Sequence, residues 1–214
     1  MSGFYDVKLN TIFVHVPRCG GSSISAAFQV DYWVPETEID INQIKPTVYR
    51  LGRFHWRARR MQDELGILFD QAFSFAFVRN PWSWMASRFF RAKARPYHPL
   101  HESATKGFEY FVSMTLERDP RDQWGFFTKN GKIIVSHVGI FEQFGLEMKV
   151  ILKRLGVFVD IPTINSSYAR ASDYREMYSA ELANKVGDRY QREILYFGYC
   201  FDKPNEFYDD FRIA

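Results

Sequence analysis

The sequence predicts an α/β fold, a central mainly parallel sheet flanked by helices in three layers. "TIFVHV" (11–16) and "FSFAFV" (73–78) are short apolar runs, β-branched or aromatic, each closed by a proline-containing turn. Such runs fit strands buried on both faces. Each leads into helix-like sequence, "SSISAAFQV" after the first and "WSWMASRFFRAKA" after the second, so the order strand, polar turn, helix occurs twice. "KIIVSHV" (132–138) is the candidate third strand.

Further along, "EQFGLEMKVILKRLG" sets Phe144, Met148, Leu152 and Leu155 on one helical face, with Gly156 as its C-terminal stop. Ser179 is a candidate cap for a helix on which Leu182, Val186, Tyr190 and Ile194 recur every four residues. The stretches Asp31 to Gly52 and Ala94 to Asp122 are less periodic and richer in turn residues, as expected of excursions that carry substrate contacts.

With 214 residues, 46% hydrophobic and 18% aromatic, the chain can bury one substantial core, and 1–214 is expected to be a single domain. The 28 Lys+Arg against 25 Asp+Glu leave a net charge of +3, too mild to name a partner. Cys19 and Cys200 are the only cysteines, too few for a disulfide framework or a zinc site, and point to a reducing compartment. "MSGFYDVKLNTIF" contains Asp6 and lacks the apolar run of a secretory signal. No segment reaches the roughly 18 apolar residues of a membrane span. The expectation is a cytoplasmic protein without repeats or low-complexity blocks.

"FVHVPRCGGSSI" (13–24) runs from the first strand into Gly20-Gly21 and then into a helix through Ser22-Ser23. Glycines let backbone N–H groups converge without side chains in the way, and a helix N-terminus adds a positive end, so this order builds an anion cradle. Arg18 and the serine hydroxyls complete it. The pattern G-x-x-x-x-G-K-[ST] is absent, because no lysine follows Gly21, which disfavours an ordinary ATPase or kinase. After the second strand, Arg79 stands at the strand end and Ser87 about two helical turns along. Ligands of open α/β sheets bind at the carboxyl ends of strands, so a donor with anionic groups at both ends suits the two sites.

These two segments resemble the phosphate motifs of sulfotransferases that use 3′-phosphoadenosine 5′-phosphosulfate (PAPS), particularly the carbohydrate type. "FVHVPRCGGSSI" resembles that family's 5′-phosphosulfate loop, usually I-P-K-x-G-G-T-S, and implies donor contacts from Pro17, Arg18, Cys19, Gly20, Gly21, Ser22 and Ser23. "FVRNPWSWMASRFF" resembles its 3′-phosphate motif, with Arg79 and Ser87 eight residues apart. "GIFEQFGLEMKVILKRLGV", "IPTIN" and "YSAELANKVGDRYQREILYFGY" resemble its later helices, so the similarity spans about Thr11 to Phe201. The implied fold is P-loop-like, with PAPS as donor, 3′,5′-bisphosphoadenosine (PAP) as product and no metal. Arg18 replaces the usual lysine, whose point charge an arginine fork does not reproduce. Trp84 stands where an arginine is common, with Arg88 as the candidate substitute.

Sulfuryl transfer to a hydroxyl needs a base. His55 is the choice, because the resemblance implies a base before the second strand and because Arg50, Arg53, Arg57, Arg59 and Arg60 favour its neutral, proton-accepting form. Arg18 is the second catalytic candidate. His15 reads as a hydrogen-bonded core residue, His98 and His101 as loop residues, and His137 as structural; Glu64, Glu102 and Glu142 are alternative bases. Arg53, Arg57 and Gln123 are the acceptor-binding candidates, for a glycan or glycolipid, and Trp33, Trp56, Trp124, Phe126 and Phe127 are candidate stacking surfaces. A noncatalytic PAP- or PAPS-binding protein is the alternative; nucleic-acid binding is disfavoured, since no such motif is present.

Overall fold

The computed structural model describes residues 2–28, 32–33 (backbone only), 48–52, 55–157 and 173–202. The strands are β1 (Gly3–Asp6), β2 (Thr11–Val14), β3 (Tyr32–Trp33), β4 (Val48–Leu51), β5 (Phe73–Val78), β6 (Thr128–Lys129), β7 (Lys132–Ile133) and β8 (His137–Ile140). The helices are α1 (Gly21–Ala27), α2 (Ala58–Leu65), α3 (Ile67–Gln71), α4 (Pro81–Lys93), α5 (His101–Thr105), α6 (Phe108–Arg118), α7 (Trp124–Phe127), α8 (Phe144–Leu155), α9 (Ala180–Arg189) and α10 (Gln191–Phe197). Two compact units share them, Met1–Val78 with Gln123–Ile164, and Arg79–Asp122 with Asn165–Ala214.

In the first unit a six-stranded sheet has the order β3-β4-β1-β2-β5-β8. The pairs β2–β5, β5–β8 and β3–β4 are parallel, and β1 opposes both of its neighbours. The sheet is therefore mainly parallel, as expected, with one reversed strand. A tight turn permits that reversal: Asn10 takes φ 45°, and Asp6 Oδ1 accepts the Leu9 N–H at 3.0 Å. A parallel strand would have needed a long crossover.

Phe4, Phe13 and Phe75 form an aromatic row across one sheet face, with centroids 5.4 and 5.2 Å apart, and Phe28 closes over them. Ile12, Val14 and Ala76, on the opposite face, are equally buried. Both faces are covered, which explains why β2 and β5 read as unbroken apolar runs.

The expected third strand is two elements. Asn130 (φ 53°) and Gly131 (φ 78°) form the turn of a β6–β7 hairpin, the geometry that Asn-Gly favours. The strand that joins the sheet is β8, which begins after Ser136 exchanges hydrogen bonds with Ser74 at 3.1 Å. The α8 helix ends at Gly156 (φ 67°) as expected.

In the second unit, Ser179 caps α9 by accepting the Leu182 N–H at 3.2 Å. The expected single helix breaks at Tyr190 (φ −114°, ψ 26°), whose fully buried ring stands edge-on to Trp84 at 5.7 Å. Beyond it the register changes, and Glu193 is buried while Ile194 is half-buried. The 94–122 stretch, expected as an excursion, carries α5 and α6, and Phe108 and Phe111 of α6 pack on Phe89 of α4.

Arg88, the candidate substitute for the arginine absent at 84, lies over the Trp84 ring at 4.7 Å and is ion-paired with Asp119. Its side chain is 11% exposed, and the pair is structural. Arg121 grips the same carboxylate through two bonds of 2.7 and 2.8 Å. Burial opposes ionisation of Asp119, but the hydrogen bonds from Arg121 and the charge of Arg88 prevail and lower its pKa from 3.8 to about 2. The folded chain holds this proton less tightly than the unfolded one. Its stabilisation is therefore complete above about pH 4 and is lost as the pH falls toward 2. Asp119→Ala should lower unfolding free energy at pH 7 by roughly 3 kcal/mol, because Arg88 is left buried beside no carboxylate. Urea denaturation across pH should show the two proteins converging near pH 2.

Candidate functional site

The loop between β2 and α1 is a turn laid on an aromatic floor. The Val16 carbonyl accepts the Cys19 N–H at 3.3 Å, with Pro17 and Arg18 at the two central positions. Arg18 takes φ 70°, the left-handed value that the third residue of a type II turn requires. For a residue with a Cβ this costs about 1–2 kcal/mol, a strain characteristic of functional loops.

Gly20 (φ 81°) then starts α1, its carbonyl accepting the Ser23 and Ile24 N–H groups at 3.0 and 3.2 Å. A Cβ on Gly20 would lie 2.5 Å from Phe144 Cε2, and one on Gly21 would lie 2.1 Å from His15 Nε2. Only a pair of glycines lets the backbone sit this low. Phe144 is held in turn by Phe77 of β5, with centroids 5.0 Å apart. Pro17 and Ser22 are half-buried and Ser23 is buried.

Cys19 is 1% exposed, and its thiol donates toward Gln123 Oε1 at 3.3 Å, with the Pro17 carbonyl at 3.6 Å. Gln123 itself is 0% exposed. The side chain read as an acceptor contact thus tethers the loop from below.

His55 lies in the turn before α2, not on a helix, and is half-buried. Its ring meets His15 edge-on with centroids 4.4 Å apart. His15 also stacks on Phe13 at 5.6 Å, so the core histidine beneath Gly21 joins the loop to the base candidate. The arginines expected around His55 have other engagements. Arg59 and Arg60 pair with Asp63 and Glu64 one turn on, Arg60 also covers Trp56 at 4.2 Å, and exposed Arg57 lies 5.6 Å over Phe126. Arg53 lies outside the described residues.

The expected stacking residues Trp56, Trp124, Phe126 and Phe127 are buried core, and the Trp33 side chain is not described. Among the alternative bases, Glu64 pairs with Arg60 at 3.7 Å and Glu102 with Lys106 at 2.8 Å, both on exposed helix faces. Glu142 sits in the short turn Phe141–Gln143. His137 is structural, bonded at 3.0 Å to buried Glu147, which also accepts the Ile140 N–H at 3.4 Å.

In the second unit Arg79 follows Val78, the last residue of β5. Fully buried Asn80 caps α4, accepting the Trp82 and Ser83 N–H groups at 3.1 and 3.3 Å, and Pro81 takes the first helical position. Arg79 Nε–H donates to Ser83 Oγ at 2.9 Å, and buried Ser87 lies one turn further on the same side. Ser83, four residues from both Arg79 and Ser87, shares their side of the helix, a spacing already visible in the sequence.

His98 and His101 bond to backbone, His98 Nδ1 accepting the Leu100 N–H at 3.1 Å and His101 Nδ1 lying 3.0 Å from the Ala92 carbonyl. Burial first, then the charges of Arg91, Arg88, Arg121 and Arg95, lower the His98 pKa. Among the described residues no three His, Cys, Asp or Glu side chains are grouped to hold a metal ion.

The contact beneath Gly21 can be measured. Gly21→Ala should destabilise the chain by about 2 kcal/mol through overpacking. Adding His15→Ala should recover part of that loss, giving a nonadditive double-mutant cycle in thermal unfolding.

No curated protein matches this chain. A solved structure, mouse sulfotransferase SULT7A1 complexed with PAP, superposes with a TM-score of 0.58 at 13% identity, over 89% of this chain and 86% of that one. At that identity the likeness shows a shared fold. The model of the sulfotransferase family matches residues 4–200, and by that match the chain belongs to the sulfotransferase family.

Proposed function

We propose that the chain transfers a sulfuryl group from PAPS to a hydroxyl of a carbohydrate or glycolipid acceptor by in-line displacement. The observation that carries this reading is the β2–α1 loop, in which strained Arg18 and two Cβ-intolerant glycines stand over His15 and Phe144 in a chain of the sulfotransferase family. Parallel β2 and β5 are neighbours with their carboxyl ends on the same side of the sheet, where open α/β sheets bind ligands, which supports a donor site at the β2–α1 loop. PAP, the expected product, is the ligand of the mouse structure.

In this reaction the acceptor oxygen bonds to sulfur as the bond from sulfur to the 5′-phosphate oxygen breaks. His55 takes the hydroxyl proton and PAP departs. Arg18, the loop amides and the Ser22 and Ser23 hydroxyls stabilise charge on the sulfuryl group and the leaving oxygen. Arg79 and Ser87 take the 3′-phosphate. No step calls for a metal. Arg53, Arg57 and Gln123 are the acceptor-binding residues in this reading. Two cysteines, Cys19 and Cys200, are too few for a disulfide framework, which is the basis for the reducing, cytoplasmic setting of this reading. No described helix is long and apolar enough to cross a membrane.

Arg18 in place of lysine and Trp84 in place of arginine favour a second reading, a noncatalytic PAP- or PAPS-binding protein. The two readings part at turnover. PAP, and not ADP, should raise the melting temperature under both. A sulfuryl mass added to one member of a glycan panel during incubation with PAPS should appear only under the first.

Arg79→Ala should weaken PAP binding by about tenfold or more, the loss of a charge-assisted contact, in calorimetric titration. His55→Ala should slow turnover by roughly 100-fold while leaving PAP affinity unchanged. Undiminished turnover in that variant would remove His55 from the mechanism.

A further inference from the structure

We infer that the outward face of α8 is a docking surface for an anionic lipid membrane, on which the chain rests without crossing it. The inference concerns where the chain binds and stands apart from the transfer proposed above.

Helix α8 turns Met148, Ile151 and Leu152 into the core, together with its one carboxylate, Glu147. Beyond Gly145, the residues left exposed are Leu146, Lys149, Val150, Lys153 and Arg154, the i, i+3, i+4, i+7, i+8 spacing of a single helical stripe. Leu146 is 64% exposed and Val150 60% exposed, one turn apart. By the helical period Lys149 and Arg154 flank these two on opposite sides, and Lys153 follows a turn later. A lone exposed leucine is ordinary on a protein surface. An apolar pair bordered by cations on one stripe suits a membrane interface: the apolar side chains enter the acyl boundary while the long basic ones reach the lipid phosphates.

Charge identifies the occupant. The chain as a whole carries only +3, so three cations and no exposed carboxylate on a 12-residue helix are a local concentration. Exposed cations elsewhere have an acid one turn away, as Arg59 has Asp63, Lys106 has Glu102 and Lys185 has Glu181. On α8 the only acid is buried, and Arg154 meets an uncharged partner, the Phe73 ring, at 4.6 Å. Lys153 and Arg154 also suit the negative end of the helix dipole, which explains neither Lys149 nor the apolar pair. β8 is parallel to β5 and leads through Phe141–Gln143 into α8, so the helix starts at the sheet edge that delivers the β2–α1 loop, with Phe144 under Gly20. The apolar end of the stripe lies two residues from that contact. Docking therefore brings the loop near the lipid surface, where a lipid-anchored acceptor is presented.

The test is sedimentation of the full chain with vesicles of phosphatidylcholine alone and of an equal mixture of phosphatidylcholine and phosphatidylserine. The native chain should bind the mixed vesicles, lose much of that binding at high salt and leave the neutral vesicles largely untouched. Lys149→Gln, Lys153→Gln and Arg154→Gln together should weaken partition about 100-fold, roughly fivefold for each charge. Leu146→Ser with Val150→Ser should weaken it about tenfold or more, because no apolar surface is then left to insert. Leu195→Ser, at an equally exposed leucine on α10, should change nothing. Melting temperatures confirm that each variant is folded, and no nucleotide takes part, so the result does not depend on sulfuryl transfer. Absence of binding to the mixed vesicles overturns the proposal, as does equal binding to the neutral ones or full binding by either stripe variant. An equal loss in Leu195→Ser overturns it too. If the chain binds no vesicles but forms a dimer that Leu146→Ser with Val150→Ser dissociates, the face belongs to a second copy and the proposal falls.

Discussion

The contact on which the rest of this structure depends is the approach of the Gly20–Gly21 backbone to the rings of Phe144 and His15. Neither position has space for a Cβ, so the loop after β2 lies directly on side chains supplied by His15, the residue that follows β2, and by Phe144 at the start of α8. Close packing in a protein interior leaves little room to adjust such a contact. The loop is thereby fixed to the sheet, and the strained turn at Arg18, the buried thiol of Cys19 and the amide of Gln123 all follow from where it sits. The cost of a left-handed arginine is carried by a well-packed surround, as strain at functional loops generally is.

In the second unit a different constraint governs. The start of α4 is held by Asn80 and Pro81, and further along the same helix Arg88 is drawn inward to Asp119 under the Trp84 ring. Two arginines nine residues apart thus meet different partners. Arg88 is matched with a carboxylate and stabilises the fold, whereas Arg79 donates its Nε–H to the Ser83 hydroxyl.

Much of the fold was legible in the chain because its signals are local. The apolar runs of β2 and β5, the glycine stop at Gly156 and the serine cap at Ser179 each depend on backbone preferences of a few residues, and each stands where it was expected. The Asn130–Gly131 turn is equally legible but goes unread, and the run 132–138 joins two separate strands, β7 and β8. β1 escaped notice because four residues are too few to show a period, and its pairing with β2 and β4 is a long-range outcome.

The sequence by itself determined the order of strand, phosphate-type loop and helix, and the spacing of Arg79 and Ser87, since both are properties of neighbouring residues and of the helical period. Only the tertiary structure decided that His15 underlies the loop and touches His55, that Gln123 braces Cys19, and that Arg88 belongs to the core. Those facts join residues up to about a hundred positions apart, and burial, which no single stretch of chain controls, selects among the partners each side chain has available.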